Sequence, residues 1–311
     1  MKTFKKICKM DQMELKGWLE KLLKAKYKEV INEDGFLYAK GNRNAPILLT
    51  AHMDTVHKEK CSEIYTIKEN GHTKLWSPQG IGGDDRCGIW MIWMVLTKTK
   101  YRPSILFCED EEIGGVGSDK FAKTKYIKEF KDLKYLVELD RANAKDAVYY
   151  DCGNEELMDY IEETIGYKEA YGSFSDIGHL SPECDKASVN LGCGYYNQHT
   201  LQEYVIFEEM FDTFKAVKKL LSKAKDCESF DYQELVSYGL KYDFGYGRRS
   251  YDWYDEYYMD EEYYYEIEFK DENGKSDIYA TEAKSFEEAV GKWLIDKSDR
   301  TFNDLVDYTA Y

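Results

Sequence analysis

Polar residues that could do chemistry follow four short apolar runs of this sequence. They are His52 and Asp54 after residues 46–51, the acids at 109–112 after residues 104–108, Asp140 after residues 135–139, and His199 after residues 187–192. Histidine nitrogens and carboxylate oxygens can bind divalent metals or transfer protons. If the runs are parallel strands, their carboxyl ends meet at one edge of a sheet, where ligands bind in open α/β folds. We therefore expect these side chains to converge.

A glycine-rich segment at residues 80–88, GIGGDDRCG, adds Asp84 and Asp85 just before an apolar helix. Each feature has a plain structural explanation by itself: a histidine at a strand end, an acidic surface loop, or glycines in a turn. Together they place several acids in one region, and like charges so close repel one another unless a cation lies among them. A pair of divalent metal ions would supply that charge. Nitrogen and oxygen donors suit Zn²⁺, and Mn²⁺ or Co²⁺ would also fit.

Composition argues against several classes of protein. The 311 residues are 43% hydrophobic and 33% charged, so we expect a sizeable core and no wholesale disorder. The net charge of −16 disfavours binding to nucleic acid. No apolar run is long enough for a membrane span, and the N-terminus lacks the apolar stretch of a secretory signal. The eight cysteines include no C-x-x-C pair, which favours a reducing compartment, so we expect a cytoplasmic protein.

The spacing of apolar residues predicts the elements that position these side chains. Short strands are expected at residues 46–51, 104–108, 135–139 and 187–191, and helices at residues 13–26, 87–96, 121–130, 155–165 and 203–224. Strands that alternate with helices are typical of an α/β domain. We predict a three-layer α/β/α fold with a largely parallel central sheet, spanning residues 1–227.

The composition changes near Cys227. Residues 228–311 contain 22 acidic and 9 basic residues, a balance of −13, together with 14 of the 28 tyrosines. We predict a small α+β appendage there, with hairpin strands at 263–269 and 276–281 and a helix at 285–296. The appendage would pack on the first domain, contribute to a homo-oligomer or dock a protein partner, and these alternatives stay open.

Five segments of the chain resemble, in the same order, the motifs of the zinc-dependent exopeptidase superfamily. They are AHMDTV, GIGGDDRCG, EDEEIGGVGS, ELDRA and GYYNQHTLQEY, and the resemblance covers approximately residues 40–225. The superfamily includes di-zinc aminopeptidases and related carboxypeptidases, dipeptidases and amino-acid deacylases. Any one of these motifs is weakly specific, whereas five in order are strongly so.

The resemblance implies two metal ions and a role for each matching residue. The metal ligands would be His52 and Asp140 for one ion, Glu112 and His199 for the other, and Asp84 as the bridge between them. Asp54 would orient His52, since a carboxylate behind a ligating histidine fixes its tautomer. Glu111 would be the general base that takes the proton of a water bridging the metals. Glu111 and Asp54 are thus the expected catalytic residues.

The resemblance leaves the substrate open. Only 58 residues separate Asp140 from His199, which leaves no room for the lid domain of many carboxypeptidase and deacylase members. This favours an aminopeptidase acting on small peptides. The alternatives are a dipeptidase or carboxypeptidase, an N-acyl amino-acid deacylase, or a non-catalytic binding protein on a peptidase scaffold. Candidate substrate-binding residues are Arg141, Ser175, His179 and Tyr196, and Arg86 is a further candidate for binding a substrate carboxylate.

Overall fold

The computed structural model describes residues 1–69, 71–172, 174–235, 263–270, 276–283 and 305–310, and we describe the last three segments as backbone. The chain divides into two units, Met1–Leu235 and Val236–Tyr311. The predicted helix at 285–296 lies outside the described residues. Among those that are described, no helix combines the length and the apolar character needed to cross a bilayer.

The first unit alternates strands and helices, as the apolar pattern predicts. Its helices are α1 (Lys2–Cys8), α2 (Gln12–Lys24), α3 (Gly83–Lys98), α4 (Val116–Ala122), α5 (Glu155–Ile165), α6 (Asp176–Cys184) and α7 (Phe207–Lys223), with a 3-10 helix at Lys125–Asp132. Its strands are β1 (Val30–Glu33), β2 (Phe36–Ala39), β3 (Leu48–His52), β4 (Tyr65–Glu69), β5 (His72–Trp76), β6 (Ser104–Cys108), β7 (Leu136–Arg141), β8 (Ala144–Val148), β9 (Lys168–Glu169), β10 (Ser188–Cys193), β11 (Tyr195–Tyr196) and β12 (Tyr204–Ile206).

Eight strands form a mixed sheet in the order β1-β2-β6-β3-β7-β10-β8-β9. The central pairs β6–β3, β3–β7 and β7–β10 are parallel, while β1–β2, β2–β6 and β10–β8 are antiparallel. Every residue of β3, β6 and β10 is buried. Strands buried on both faces read as continuous apolar runs, which is why the sequence pattern identified them.

Helices cover both faces of this sheet. The larger core contains apolar residues of α1, α2, α3, α5 and α7, and the smaller core contains residues of α4, the 3-10 helix and α6. Neighbouring strand residues divide between the two: Leu49 and Ile105 face the larger core, while Leu48 and Leu106 face the smaller one. The predicted three-layer α/β/α architecture is therefore confirmed.

A second, four-stranded sheet has the order β11-β12-β5-β4 and was not anticipated from the sequence. Its formation corrects the predicted start of the last long helix. Tyr204–Ile206 pairs with Lys74–Trp76, so α7 begins at Phe207 and not at Glu203. The Trp76 indole N–H also donates a hydrogen bond to the Leu201 carbonyl at 3.0 Å, which ties the segment after β11 to β5.

Residues 228–235 belong to the first unit and pack against its core. Phe230 is buried, its N–H donates to the Lys134 carbonyl at 2.8 Å, and its carbonyl accepts from the Ala187 N–H at 2.9 Å. The Asn154 side chain caps α5 by accepting from the Leu157 N–H at 2.8 Å, and it donates to the Asp231 carbonyl at 2.9 Å. The composition change at Cys227 therefore precedes the division between the units.

The second unit contains a three-stranded antiparallel sheet in the order β14-β13-β15. Its strands are β13 (Tyr263–Lys270), β14 (Ser276–Ala283) and β15 (Leu305–Ala310). The pairing of β13 with β14 is the hairpin that the alternating pattern predicts. The third strand was not anticipated.

Candidate metal centre

The carboxyl ends of β3, β6 and β7 meet at one edge of the large sheet. His52 ends β3 and lies beside Cys108, the last residue of β6, in the parallel register. Asp140 lies near the end of β7, and Glu111 and Glu112 follow β6. Asp84 comes to the same edge from the first turn of α3. The convergence expected from the sequence is therefore present in the structure.

His52 lies at the centre of one group of donor atoms and is fully buried. Its Nε2 is 2.8 Å from Asp84 Oδ1 and 3.3 Å from Asp140 Oδ1. Its Nδ1 is 3.2 Å from Asp54 Oδ1 on the opposite side of the ring. One ring nitrogen thus faces two carboxylates that could share a cation with it, and the other faces an orienting carboxylate.

His199 forms a second group with Glu112. Its Nε2 lies 3.0 Å from Glu112 Oε2 and 3.3 Å from Asp84 Oδ2. Asp84 therefore presents one oxygen to each histidine. The two groups differ in their access to solvent, because the His199 side chain is 41% exposed and the His52 side chain is 0% exposed.

Asp85 also lies within metal-ligand reach of His52 and Asp140. Its two carboxylate oxygens, however, already accept hydrogen bonds from the protein backbone. Oδ2 accepts from the His52 N–H at 3.1 Å, and Oδ1 accepts from the Gly88 N–H at 2.8 Å. These bonds favour a role in fixing the start of α3 against β3, so we place Asp85 outside the ligand set.

Asp54 connects His52 with the pair of glutamates. Besides the imidazole, its carboxylate accepts hydrogen bonds from the N–H groups of Glu111, at 3.1 Å, and Glu112, at 3.0 Å. Burial alone would raise the pKa of Asp54, but these bonds and the one from His52 lower it below its ordinary value. An ionised Asp54 is the form that can accept all three donors.

The acids of the cluster are crowded and buried, which changes their protonation. Burial and the charge of Asp84 raise the pKa of Asp140 to about 8, and burial and the charge of Asp140 raise that of Glu111 to about 11. Burial also raises the pKa of Glu112. Hydrogen bonds with Asp84 and Glu112 raise the pKa of His199 to about 11. These upward shifts in pKa indicate that the cluster favours a bound positive charge. Its nitrogen and oxygen donors are those that divalent zinc prefers.

Of the residues expected to bind substrate, Ser175 is in contact with the cluster. It is 1% exposed, its hydroxyl donates to the Glu138 carboxylate, and its Oγ lies 3.4 Å from Asp140 Oδ2. This placement beneath the cluster favours positioning of Asp140 over contact with substrate.

The other candidates contact residues outside the cluster. His179 Nδ1 lies 3.2 Å from Ser118 Oγ. The Tyr196 hydroxyl donates to Glu209 at 2.6 Å. Arg141 Nε is 3.8 Å from Asp146. The guanidinium of Arg86 is buried and donates to the carbonyls of Met10, Met53 and Asp54.

Tyr195 and Asn190 also contact Asp140. The Tyr195 hydroxyl donates to the Asp140 carbonyl at 2.9 Å and lies 3.3 Å from its Oδ1. Asn190 is fully buried, and its Oδ1 accepts from the Asp140 N–H at 2.9 Å. An asparagine inside an otherwise apolar strand was the available signal for Asn190, since buried polar groups are nearly always hydrogen-bonded.

Comparisons with known proteins bear on the family and the fold. Residues 37–175 match the model of Peptidase family M28. No curated protein matches the chain by sequence. A tripeptidase from Staphylococcus aureus subsp. aureus mu50 has a similar structure, with a TM-score of 0.58, 13% identity, and coverage of 72% of this chain and 97% of that one. Aminopeptidase PepT from Bacillus cereus gives a TM-score of 0.56 and 16% identity, over 72% of this chain and 97% of that one.

A third similar structure is that of the TET1 peptidase of Pyrococcus horikoshii, described as assembling into a tetrahedron or a large octahedral shell. Its TM-score is 0.51 at 12% identity, covering 70% of this chain and 94% of that one. At these identities the structural similarity shows the fold. The family match over residues 37–175, on a fold shared with known peptidases, confirms the resemblance of this chain to the zinc-dependent exopeptidases.

Proposed function

We propose that this protein is a metal-dependent exopeptidase that hydrolyses small peptides, and specifically an aminopeptidase. The observation that carries the proposal is the pair of histidine–carboxylate groups that share Asp84, with Glu111 bonded through its N–H to Asp54 next to them. Such a site could equally belong to a binding protein that has lost its activity. The retention of every expected ligand together with the expected base argues against that alternative.

Two divalent ions, most readily Zn²⁺, would be held by this donor set. One ion would use His52 and Asp140, the other Glu112 and His199, with Asp84 shared. The ions would supply Lewis acidity that polarises the scissile carbonyl and lowers the pKa of water. The Nδ1–H of His52 would donate to Asp54, which leaves Nε2 free as the ligating nitrogen.

Glu111 is proposed as the general base. Its backbone N–H is fixed by Asp54, and its largely buried carboxyl group lies among the acids of the cluster. Burial raises the affinity of this carboxylate for a proton. A general base needs such affinity, because it must accept a proton from water and return it to the leaving amine. Ions bound at the cluster would bring that affinity down from the value found among uncompensated acids.

The arginines support the choice of an aminopeptidase, together with the short segment between Asp140 and His199. A carboxypeptidase or a deacylase needs a cation for the free carboxylate of its substrate. Arg86 is buried and already bonded to three backbone carbonyls, so it is poorly placed for that task. Arg141 pairs loosely with Asp146 and remains the alternative carboxylate binder.

A substrate screen tests the reaction class. Dipeptides with free ends, N-acetylated dipeptides and C-amidated dipeptides would be assayed with Zn²⁺, Mn²⁺ or Co²⁺. We expect turnover to require a free amine and to tolerate the amide. A requirement for the free carboxylate would select the carboxypeptidase or dipeptidase alternative, and cleavage of the acetyl group would select the deacylase.

Glu111→Gln tests the base. We expect the rate to fall by at least ~10²–10⁴-fold, since the amide cannot accept the proton, with metal content near that of the wild type. Asp110→Asn is the matched control, because Asp110 is the adjacent acid and bonds to the Gln12 side chain instead of the cluster. Glu112→Gln should weaken metal binding itself. The reverse behaviour of the two glutamate variants would show that their roles are exchanged.

The assembly and the compartment are also proposals. The described shell-forming peptidase makes a homo-oligomer reasonable here, with residues 236–311 as a candidate contact or a docking site for a protein partner. Light scattering on the full chain would measure the oligomeric state. Eight free cysteines, seven of them buried, are compatible with the cytoplasm.

A further inference from the structure

Glu203 is a fully buried carboxylate that accepts hydrogen bonds from three N–H donors. Oε1 accepts from the backbone N–H of Asp84 at 2.9 Å. Oε2 accepts from the backbone N–H of Gly82 at 2.8 Å and from His57 Nε2 at 2.8 Å. Since a buried carboxylate is costly unless it is paired and hydrogen-bonded, these three contacts define one specific arrangement of the surrounding chain.

The contacts of Glu203 join the three segments that carry proposed ligands of both metal groups. Glu203 itself follows His199 in the loop between β11 and β12. Its partner His57 follows His52 in the loop after β3. Its other partners, Gly82 and Asp84, belong to the turn that begins α3. One carboxylate thus connects the segments that supply the two histidines and the shared aspartate.

The glycines of the GIGGDD motif allow this close approach. A Cβ atom at Gly80 would overlap the His57 ring. A Cβ atom at Gly83 would lie 2.8 Å from Tyr195 Cβ, closer than real Cβ atoms approach, and 3.1 Å from Glu203 Oε1, closer than most of them do. The glycines are therefore explained by the packing of His57 and Glu203 against this turn, as well as by the turn itself.

His57 is the partner that completes this arrangement. Its side chain is 8% exposed and that of Glu203 is 1% exposed, so the pair is shielded from water. A carboxylate at this depth keeps its charge more easily with a histidine N–H directed at it. No catalytic task is required of either residue.

We propose that Glu203, supported by His57, is a positioning residue that holds Asp84 in register with His52 and His199 and thereby sets the metal affinity of the site. The inference rests on the proposed metal site. Residues behind the ligands of a metal site typically change its affinity by about 10–100-fold when replaced. Glu203→Gln keeps the size of the side chain but turns one acceptor into a donor that faces backbone N–H groups.

The first measurement is the metal dissociation constant, from competition with a chromophoric chelator. We expect Glu203→Gln to weaken binding by about 10–100-fold, and excess metal to restore most of the peptidase activity. Glu208→Gln is the matched control. Glu208, in the first turn of α7, accepts from the N–H and the hydroxyl of Thr73 on β5, each at 2.6 Å, and does not contact the turn that carries Asp84. Equal affinity in the wild type and Glu203→Gln would overturn the inference.

A second measurement works without metal. Hydrogen exchange of the peptide that covers residues 80–86 should be faster in metal-free Glu203→Gln than in metal-free wild type, and unchanged in Glu208→Gln. Unchanged exchange in Glu203→Gln would contradict the positioning role. A wild type that binds no metal would instead refute the proposed function, while this exchange difference would still report on Glu203.

The pairing with His57 is tested by a double-mutant cycle on the same readouts. His57→Phe should weaken metal binding when Glu203 is present, because it leaves a buried carboxylate with one donor fewer. The same substitution in the Glu203→Gln background should add little. Additive effects of the two substitutions would separate His57 from the positioning role.

Discussion

Asp84 differs from the other acids of the cluster because each of its oxygens faces a different histidine. Oδ1 lies 2.8 Å from His52 Nε2, and Oδ2 lies 3.3 Å from His199 Nε2. Burial would raise the pKa of Asp84, but hydrogen bonds with both histidines lower it below its ordinary value, so Asp84 is held as an anion. A residue shared in this way should matter to both metal positions, whereas each histidine should matter to one.

This difference gives a prediction in metal stoichiometry. We expect Asp84→Ala to impair binding at both positions and His199→Ala to remove about one of two equivalents, as measured by elemental analysis after dialysis against buffered metal. His72→Ala is a control, since His72 is an exposed histidine of β5 outside the cluster. Loss of both ions in His199→Ala, or of one in Asp84→Ala, would contradict the sharing proposed here.

The proposed ligands could be found from the sequence because each follows an apolar run or a glycine turn within a few residues. Asp54 was also expected, from the motif that contains His52, but the other supporting residues were not. Glu203 lies in a segment that the helical pattern assigned to α7, and its partner His57 has no neighbour in sequence that suggests a contact 146 residues away. Ser175 was expected at the substrate, whereas the fold buries it under Asp140. Side chains that support a ligand distant in sequence leave little local pattern.

At the scale of elements, the predictions succeed where a strand is buried on both faces and fail where it is short and partly exposed. The central strands β3, β6 and β10 read directly as apolar runs. β4 alternates half-buried and exposed residues, and β12 has three residues. The small sheet that they build with β5 and β11 was therefore missed. Tertiary pairing with β5 also overrides the helical pattern of residues 204–206.

The cap of α5 provides a prediction at this scale. We expect Asn154→Ala to lower the free energy of unfolding by about 1–2 kcal/mol, because Leu157 N–H and the Asp231 carbonyl both lose their partner. Urea denaturation would measure the loss. Asn154→Asp keeps the acceptor for Leu157 and loses the donor to Asp231, so it should fall between the wild type and the alanine variant. Metal binding should stay unchanged in both, since the cap is remote from the cluster.

At the scale of the whole molecule, the acidic character belongs mainly to the C-terminal part, while the proposed ligands all lie in the first unit. Residues 228–311 carry −13 of the net charge of −16. The change in composition predicts the appendage but places its start at residue 228. Residues 228–235 still belong to the first unit, and Phe230 is part of its core. Phe230 packs on Tyr135 and Tyr160, with ring centroids 5.9 Å and 5.3 Å away.

Two truncations separate these boundaries. A chain that ends at Leu235 should keep its metal affinity and its turnover of small peptides. A chain that ends at Cys227 should be less stable by about 3–5 kcal/mol, because the loss of a buried phenylalanine leaves a cavity in the core. Thermal unfolding followed by circular dichroism would show the difference. Loss of small-peptide turnover in a folded chain ending at Leu235 would mean that residues 236–311 contribute to the active site. Both truncations should be less soluble, since they remove most of the charge that keeps copies apart.

The contrast between a sealed His52 and an exposed His199 has a consequence in time. An ion held beside His52 can leave only after buried groups have moved, whereas an ion beside His199 has a direct path to solvent. Removal of metal by a chelator should therefore proceed in two phases of different rate, with the fast phase absent in His199→Ala. Brief exposure to a chelator would therefore leave a half-loaded protein with its ion beside His52. The age and handling of a sample would then decide its measured activity.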